Sequence, residues 1–142
     1  MKRNEPKEYN FFLKIIEKDI GNTTTTNHQL DAYCKEIFGD RFKGVFSIDT
    51  MHRLKNNECC IFNLDKSHEP GSHWCGLYKT NGLYIVYDSF GRKSHILGVP
   101  FKNVKTTEND PEQKIRETNC GARTTAFLCC CYTLPLKEVL KI

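Results

Sequence analysis

HWCGLYKTNGLYIVYDSF, residues 73–90, decides how this chain folds. Asn81-Gly82 separates two apolar runs and is the strongest short signal for a two-residue type I′ hairpin turn. With that turn, Thr80 faces Leu83, Cys75 faces Asp88 and His73 faces Phe90. Side chains alternate between the faces of a strand. His73, Cys75, Leu77 and Lys79 therefore share a face with Tyr84, Val86, Asp88 and Phe90. Trp74, Gly76 and Tyr78 share the other with Leu83, Ile85, Tyr87 and Ser89. His73 and Asp88 become diagonal neighbours, about 7–8 Å apart by backbone, a gap that an imidazole and a carboxylate can close. A slip of one residue would put them on opposite faces.

Outward from the hairpin, the rest of the chain falls into short elements. Residues 58–65, ECCIFNLD, form an apolar run of strand length, and FKGVFSID, residues 42–49, is a second extended segment. Further upstream, Thr26 and Gln29 stand at capping-box spacing ahead of a helix. Leu30, Tyr33, Cys34 and Ile37 fall on one face of that helix, and Gly39 ends it. The N-terminal segment MKRNEPKEYNFFLKIIEKDIG reads as an amphipathic helix, and residues 22–27, NTTTTN, as a polar linker. After the hairpin the pattern is polar and irregular from about residue 92 to 118, and a last helix opens near Cys120 and ends before Pro135. Helix, strands, hairpin, loop and helix in this order predict an α+β fold. There is no internal repeat. The length of 142 residues predicts one domain, 1–142, with residues 1–21 as a helical extension and 22–142 as the core.

Composition narrows the class. Hydrophobic residues make up 39% and charged residues 27%, as in a soluble globular protein. The apolar runs fall short of the roughly 18 residues that a membrane span needs, and the charged N-terminal segment is not a secretory leader. The eight cysteines are then expected as reduced thiols rather than a disulfide framework, and the sequon Asn22-Thr23-Thr24 carries no glycan. The net charge of +4 permits contact with nucleic acid without requiring it.

Half of the cysteines lie in ETNCGARTTAFLCCC, residues 117–131. Cys129, Cys130 and Cys131 are adjacent, as are Cys59 and Cys60. Neither group has the two-to-four-residue spacing of zinc ligands. Ala122, Ala126, Cys129 and Cys130 are the small apolar residues that a helix laid on a sheet requires. Cys120 differs from these, because it opens the helix, where free N–H groups and the positive end of the dipole favour a thiolate. Gly121 follows it, and its lack of a Cβ is expected to let a substrate backbone approach. A thiolate, an imidazole and a carboxylate together make a catalytic triad, in which the acid fixes the tautomer of the base.

These residues occur within an ordered set of motifs. GSHW spans Gly71–Trp74, YDSFG spans Tyr87–Gly91, and Gln113 stands seven residues before Cys120-Gly121. RFKGVFS at 41–47 and CIFNLD at 60–65 precede them. With this set, roughly residues 26–133 resemble the adenain (adenovirus-type) cysteine proteases, and more distantly the SUMO-deconjugating proteases of the same clan. The resemblance implies a papain-like α+β fold whose nucleophile helix packs on a mixed or antiparallel sheet. It implies Cys120 as nucleophile, His73 as general base and Asp88 as the group that orients it. Gln113 would donate to the oxyanion together with the Cys120 N–H, and Trp74 would shield the catalytic pair.

The resemblance further implies a cysteine endopeptidase, with viral precursor polypeptides cut near glycine as substrates and the virion and host-cell interior as its location. No cofactor is required, although DNA is an implied activator. Arg41, Lys43, Arg53 and Lys55 would contact it, residues that serve equally as a solvated surface. A monomer with no membrane association is expected. The chain has Asp88 where adenain has glutamate. It also has no cysteine between Cys75 and Cys120 to tether an activating peptide. The rival readings are an isopeptidase for ubiquitin-like modifiers and a catalytically silent module binding nucleic acid or protein.

Overall fold

The computed structural model describes residues 5–22, 25–64, 73–91, 98–107 and 119–142. Among these residues the fold is α+β, with one mixed five-stranded sheet and four helices. The strands are β1 (Phe42–Ser47), β2 (Cys59–Asn63), β3 (Trp74–Thr80), β4 (Leu83–Tyr87) and β5 (Val104–Thr106), in spatial order β1-β2-β3-β4-β5. The two central pairings, β2–β3 and β3–β4, are antiparallel, and the two outer ones are parallel.

The hairpin adopts the predicted register, with Thr80 opposite Leu83 and Gly76 opposite Tyr87. Asn81 and Gly82 take φ of 48° and 78°, the left-handed values a type I′ turn demands. The alternation of side chains sorts the core into two clusters. Cys60, Phe62, Cys75, Leu77, Tyr84 and Val86 lie on one face, where Leu54 from the β1–β2 connection covers them. Ile61, Trp74, Tyr78, Ile85 and Tyr87 lie on the other, under the helices.

The helices are α1 (Lys7–Ile20), α2 (Asn27–Phe38), α3 (Cys120–Cys131) and α4 (Leu136–Val139). Tyr9, Leu13 and Ile16 recur at helical spacing on α1 and are all buried. This helix packs along α3, with Tyr9, Leu13 and Ile16 in the core beneath it. The capping box of α2 forms as predicted: Thr26 N–H donates to Gln29 Oε1 at 2.8 Å, and Gln29 N–H to Thr26 Oγ1 at 3.1 Å. Leu30 and Cys34 are buried, whereas Ile37, expected on the same inward face, is 42% exposed at the end of the helix.

Two elements depart from the sequence reading. β5 forms within the stretch read as irregular, and α4 follows Pro135. β5 is only three residues long and is held by β4, with Tyr84 N–H donating to Asn103 O at 2.9 Å. No described helix is long and apolar enough to cross a membrane.

Candidate active site

His73 stands immediately before β3, and Asp88 immediately after β4. The antiparallel register puts both at one end of the hairpin and on one face. His73 Nε2 lies 2.6 Å from Asp88 Oδ1, and the Asp88 side chain is fully buried. Burying a carboxylate is costly unless its lone pairs are used. Asp88 Oδ1 also accepts from the Phe90 N–H at 3.0 Å, and the turn closes with Gly91 N–H donating to Asp88 O at 2.8 Å. Gly91 takes φ of 75° there. The same turn lays the Phe90 ring on the imidazole, with centroids 4.2 Å apart and planes 16° from parallel. Asp88 thus fixes one ring nitrogen and Phe90 one ring face.

Cys120 is the first residue of α3, and its thiol and the His73 imidazole influence each other's protonation. Asp88 holds Nε2, so Nδ1 is the nitrogen left to serve the thiol. The Trp74 N–H points to Cys120 Sγ at 3.5 Å. Helix α3 reaches this position because Gly76 lets it approach the sheet. A Cβ on Gly76 would come 2.9 Å from Phe127 Cδ2 and 3.1 Å from Thr124 Cγ2. Thr124 Oγ1 also donates to the Trp74 carbonyl at 3.1 Å, locking helix to strand beside the thiol.

The electrostatics follow from these contacts. Burial is the largest influence on Cys120 and pushes its thiol up. The hydrogen bonds from His73 and from the Trp74 and Gly121 N–H groups outweigh it, and the thiol lies below its ordinary value. For His73 burial acts downward, but the hydrogen bonds to Asp88 and Cys120 hold the imidazole above its ordinary value. The two shifts favour a thiolate–imidazolium pair. Other cysteines go the opposite way. Burial pushes Cys34, Cys59 and Cys130 up to about 12, Cys129 up to about 11, and Cys60 and Cys131 well above the usual range.

The structure brings His73, Asp88, Cys120 and Trp74 together. Gln113 lies outside the described residues, as do Gly71 and Ser72 of the GSHW motif. Trp74 is buried and donates its indole N–H to Thr25 O at 3.2 Å, so it anchors the segment before α2 over the site. That segment gives Gly121 a different reason from the expected approach of substrate. A Cβ on Gly121 would strike Thr25 Oγ1 and lie 3.1 Å from Leu30 Cδ2, so the glycine seats Thr25 and α2 against α3.

Among the described residues, His73, Cys75 and Asp88 form the one group whose metal-ligating atoms all lie within 4.8 Å of one another. Two of the three are already engaged with each other through a hydrogen bond. The sequence reading placed Phe90 opposite His73 and within the YDSFG motif but gave it no role in the site. It also missed Asn63, whose Oδ1 is buried without a hydrogen-bond partner at the end of β2, opposite Trp74.

No protein-family model matches the chain, and no curated protein matches its sequence.

Proposed function

We propose that this chain is a cysteine endopeptidase of the adenain type, with a papain-like arrangement of nucleophile helix and sheet. The observation that carries the proposal is the 2.6 Å contact of Asp88 with His73 beside a thiol at a helix N-terminus, which the imidazole helps to lower while burial raises Cys34, Cys59, Cys60, Cys129, Cys130 and Cys131. Cys120 attacks a peptide carbonyl and forms a thioester. His73 carries the thiol proton as imidazolium and gives it to the leaving amine, then serves as base for the water that hydrolyses the thioester. Asp88 holds the ring in the tautomer that presents Nδ1 to the thiol. The oxyanion is received by the Cys120 N–H and, by the resemblance, by the Gln113 amide. Substrates are precursor polypeptides with glycine near the scissile bond, as the same resemblance implies.

The test is incubation with a diverse peptide library, with cleavage sites read by mass spectrometry, beside the Cys120→Ser variant. Cleavage by the wild-type chain alone is expected. A library left intact, while a ubiquitin-like fusion is cut after Gly-Gly, would replace the endopeptidase with an isopeptidase. Neither activity would leave the binding-module reading.

A further inference from the structure

Strand β3 begins before its pairing with β4 does. Lys79 turns its main-chain groups toward β2: its N–H donates to Glu58 O at 3.1 Å, and its carbonyl accepts from the Asn57 N–H at 2.7 Å. These groups alternate in direction along a strand, so Trp74, Gly76 and Tyr78 turn theirs toward β4. Gly76 meets Tyr87 there, and β4 ends with that residue. Trp74 therefore aims its N–H and its carbonyl past the end of β4. Trp74 is buried, and buried main-chain groups require partners.

Helix α3 supplies both. The Trp74 N–H points to Cys120 Sγ at 3.5 Å, and Thr124 Oγ1 donates to the Trp74 carbonyl at 3.1 Å. Cys120 and Thr124 are four residues apart and so share one face of the helix. The helix is mounted at two points on the main chain of a single strand residue, and one of those points is the reactive sulfur. Thr124 is fully buried, with its methyl over Gly76, where an added Cβ would lie 3.1 Å from Cγ2. The Trp74 N–H is also among the groups that hold the Cys120 thiol below its ordinary value.

We propose that Thr124 is a positioning residue for the nucleophile: its hydroxyl holds the first turn of α3 at the height and rotation that put Cys120 Sγ on the Trp74 N–H. This rests on Cys120 as the reactive thiol and not on the nature of the substrate. Removing the hydroxyl leaves the Trp74 carbonyl without its donor, and α3 then settles on the sheet through apolar contacts alone. The thiolate loses a hydrogen bond, with His73 and Asp88 unchanged.

The experiment is the pH–rate profile of Cys120 alkylation by iodoacetamide, resolved by peptide mapping, in wild type, Thr124→Val, Thr124→Ser, Thr124→Ala and Thr125→Val. Thermal melts set a temperature at which the variants are folded. Thr124→Val keeps the methyl and loses the hydroxyl. It is expected to slow alkylation near neutral pH about tenfold, the weight of one hydrogen bond to a charged group, and to move the profile to higher pH. Thr124→Ser keeps the hydroxyl and loses the methyl, so it melts lower than wild type but keeps the wild-type profile. If the valine variant does not fold, serine and alanine pose the same question, since both lack the methyl and only alanine lacks the hydroxyl. Thr125 is the matched control: it is equally buried, and its hydroxyl donates within the helix to Gly121 O at 2.8 Å. Thr125→Val is expected to melt lower and leave the profile in place. A hydroxyl-free Thr124 variant with the wild-type profile overturns the proposal. So does a serine variant shifted as far as valine or alanine, or a Thr125→Val shifted as far as Thr124→Val, because either marks a general loosening of α3. A wild-type Cys120 no more reactive than the other thiols would remove the nucleophile and this proposal together. The expected pattern without any peptide cleavage would sink the peptidase reading alone.

Discussion

The β3–β4 hairpin and helix α1 both press on the nucleophile helix α3, but they do different things to it. The hairpin supplies the reacting and orienting groups, His73 and Asp88, from positions just outside its strands. Helix α1 supplies no member of the triad. It buries Tyr9, Leu13 and Ile16 along α3 and holds Asn119, the residue before the nucleophile. Chemistry comes from a register fixed by one two-residue turn, and position comes from a helix more than a hundred residues away in sequence. If this division is right, changes in the hairpin should act on rate and on pH dependence. Changes in α1 should act first on stability.

The largest effect is expected at Asp88. Asp88→Asn removes the carboxylate that raises the His73 imidazole, and an amide can hold the ring in the wrong tautomer, so turnover should fall by about 10⁴. The pH profile gives the sign. Activity needs the thiolate, present above the lowered Cys120 value, and the imidazolium, present below the raised His73 value. In Asp88→Asn the alkaline limb should therefore move to lower pH and narrow the window from that side. Asp88→Glu should be milder. Melting temperature and a pH–rate profile together check this, and a variant as active as wild type would break the assignment of Asp88.

Leu13→Ala makes the opposite test. Leu13 is buried in the α1–α3 contact, and truncating such a side chain costs about 2–5 kcal/mol. Denaturant unfolding should show that loss, with the shape of the pH profile unchanged at temperatures where the variant stays folded. A much smaller loss would break the assignment of α1 to the core.

The register of the hairpin was legible because its determinants are local. Asn81-Gly82 fixes the turn, strict alternation fixes the faces, and the proximity of His73 to Asp88 follows by counting. The α2 capping box was legible for the same reason, since Thr26 and Gln29 are three residues apart. What escaped was non-local. The periodicity of α1 shows an apolar face but not which element receives it. Asn119 looked like an ordinary residue before a helix, because its partners Glu17 and Arg123 come together only when α1 lies on α3. β5 carries just Val104–Thr106 and owes its existence to pairing with β4 rather than to its own pattern.

The smallest effect is expected from DNA. Of the basic residues before β2, Arg41 already lies over the Tyr132 ring at 5.1 Å, and Lys43 Nζ is 3.5 Å from a Glu58 carboxylate oxygen. Phosphate contacts through such residues would be salt-sensitive and sequence-independent. Peptide hydrolysis with and without duplex DNA should show at most a few-fold rise at low salt, lost at moderate salt. An activation that persists at moderate salt would mean a third region acting on α3 beside the hairpin and α1.

The most direct measurement is limited alkylation of the folded chain near neutral pH, with a substoichiometric reagent and peptide mapping of all eight thiols. Only Cys120 combines a helix N-terminus with a hydrogen-bonded imidazole, while burial holds Cys34, Cys59, Cys60, Cys129, Cys130 and Cys131 in the thiol form. Cys120 should be labelled first and almost alone, and its labelling should slow when His73 is replaced by alanine. Equal labelling of Cys120 and Cys131, or a Cys120 rate indifferent to His73, would contradict its place as the nucleophile.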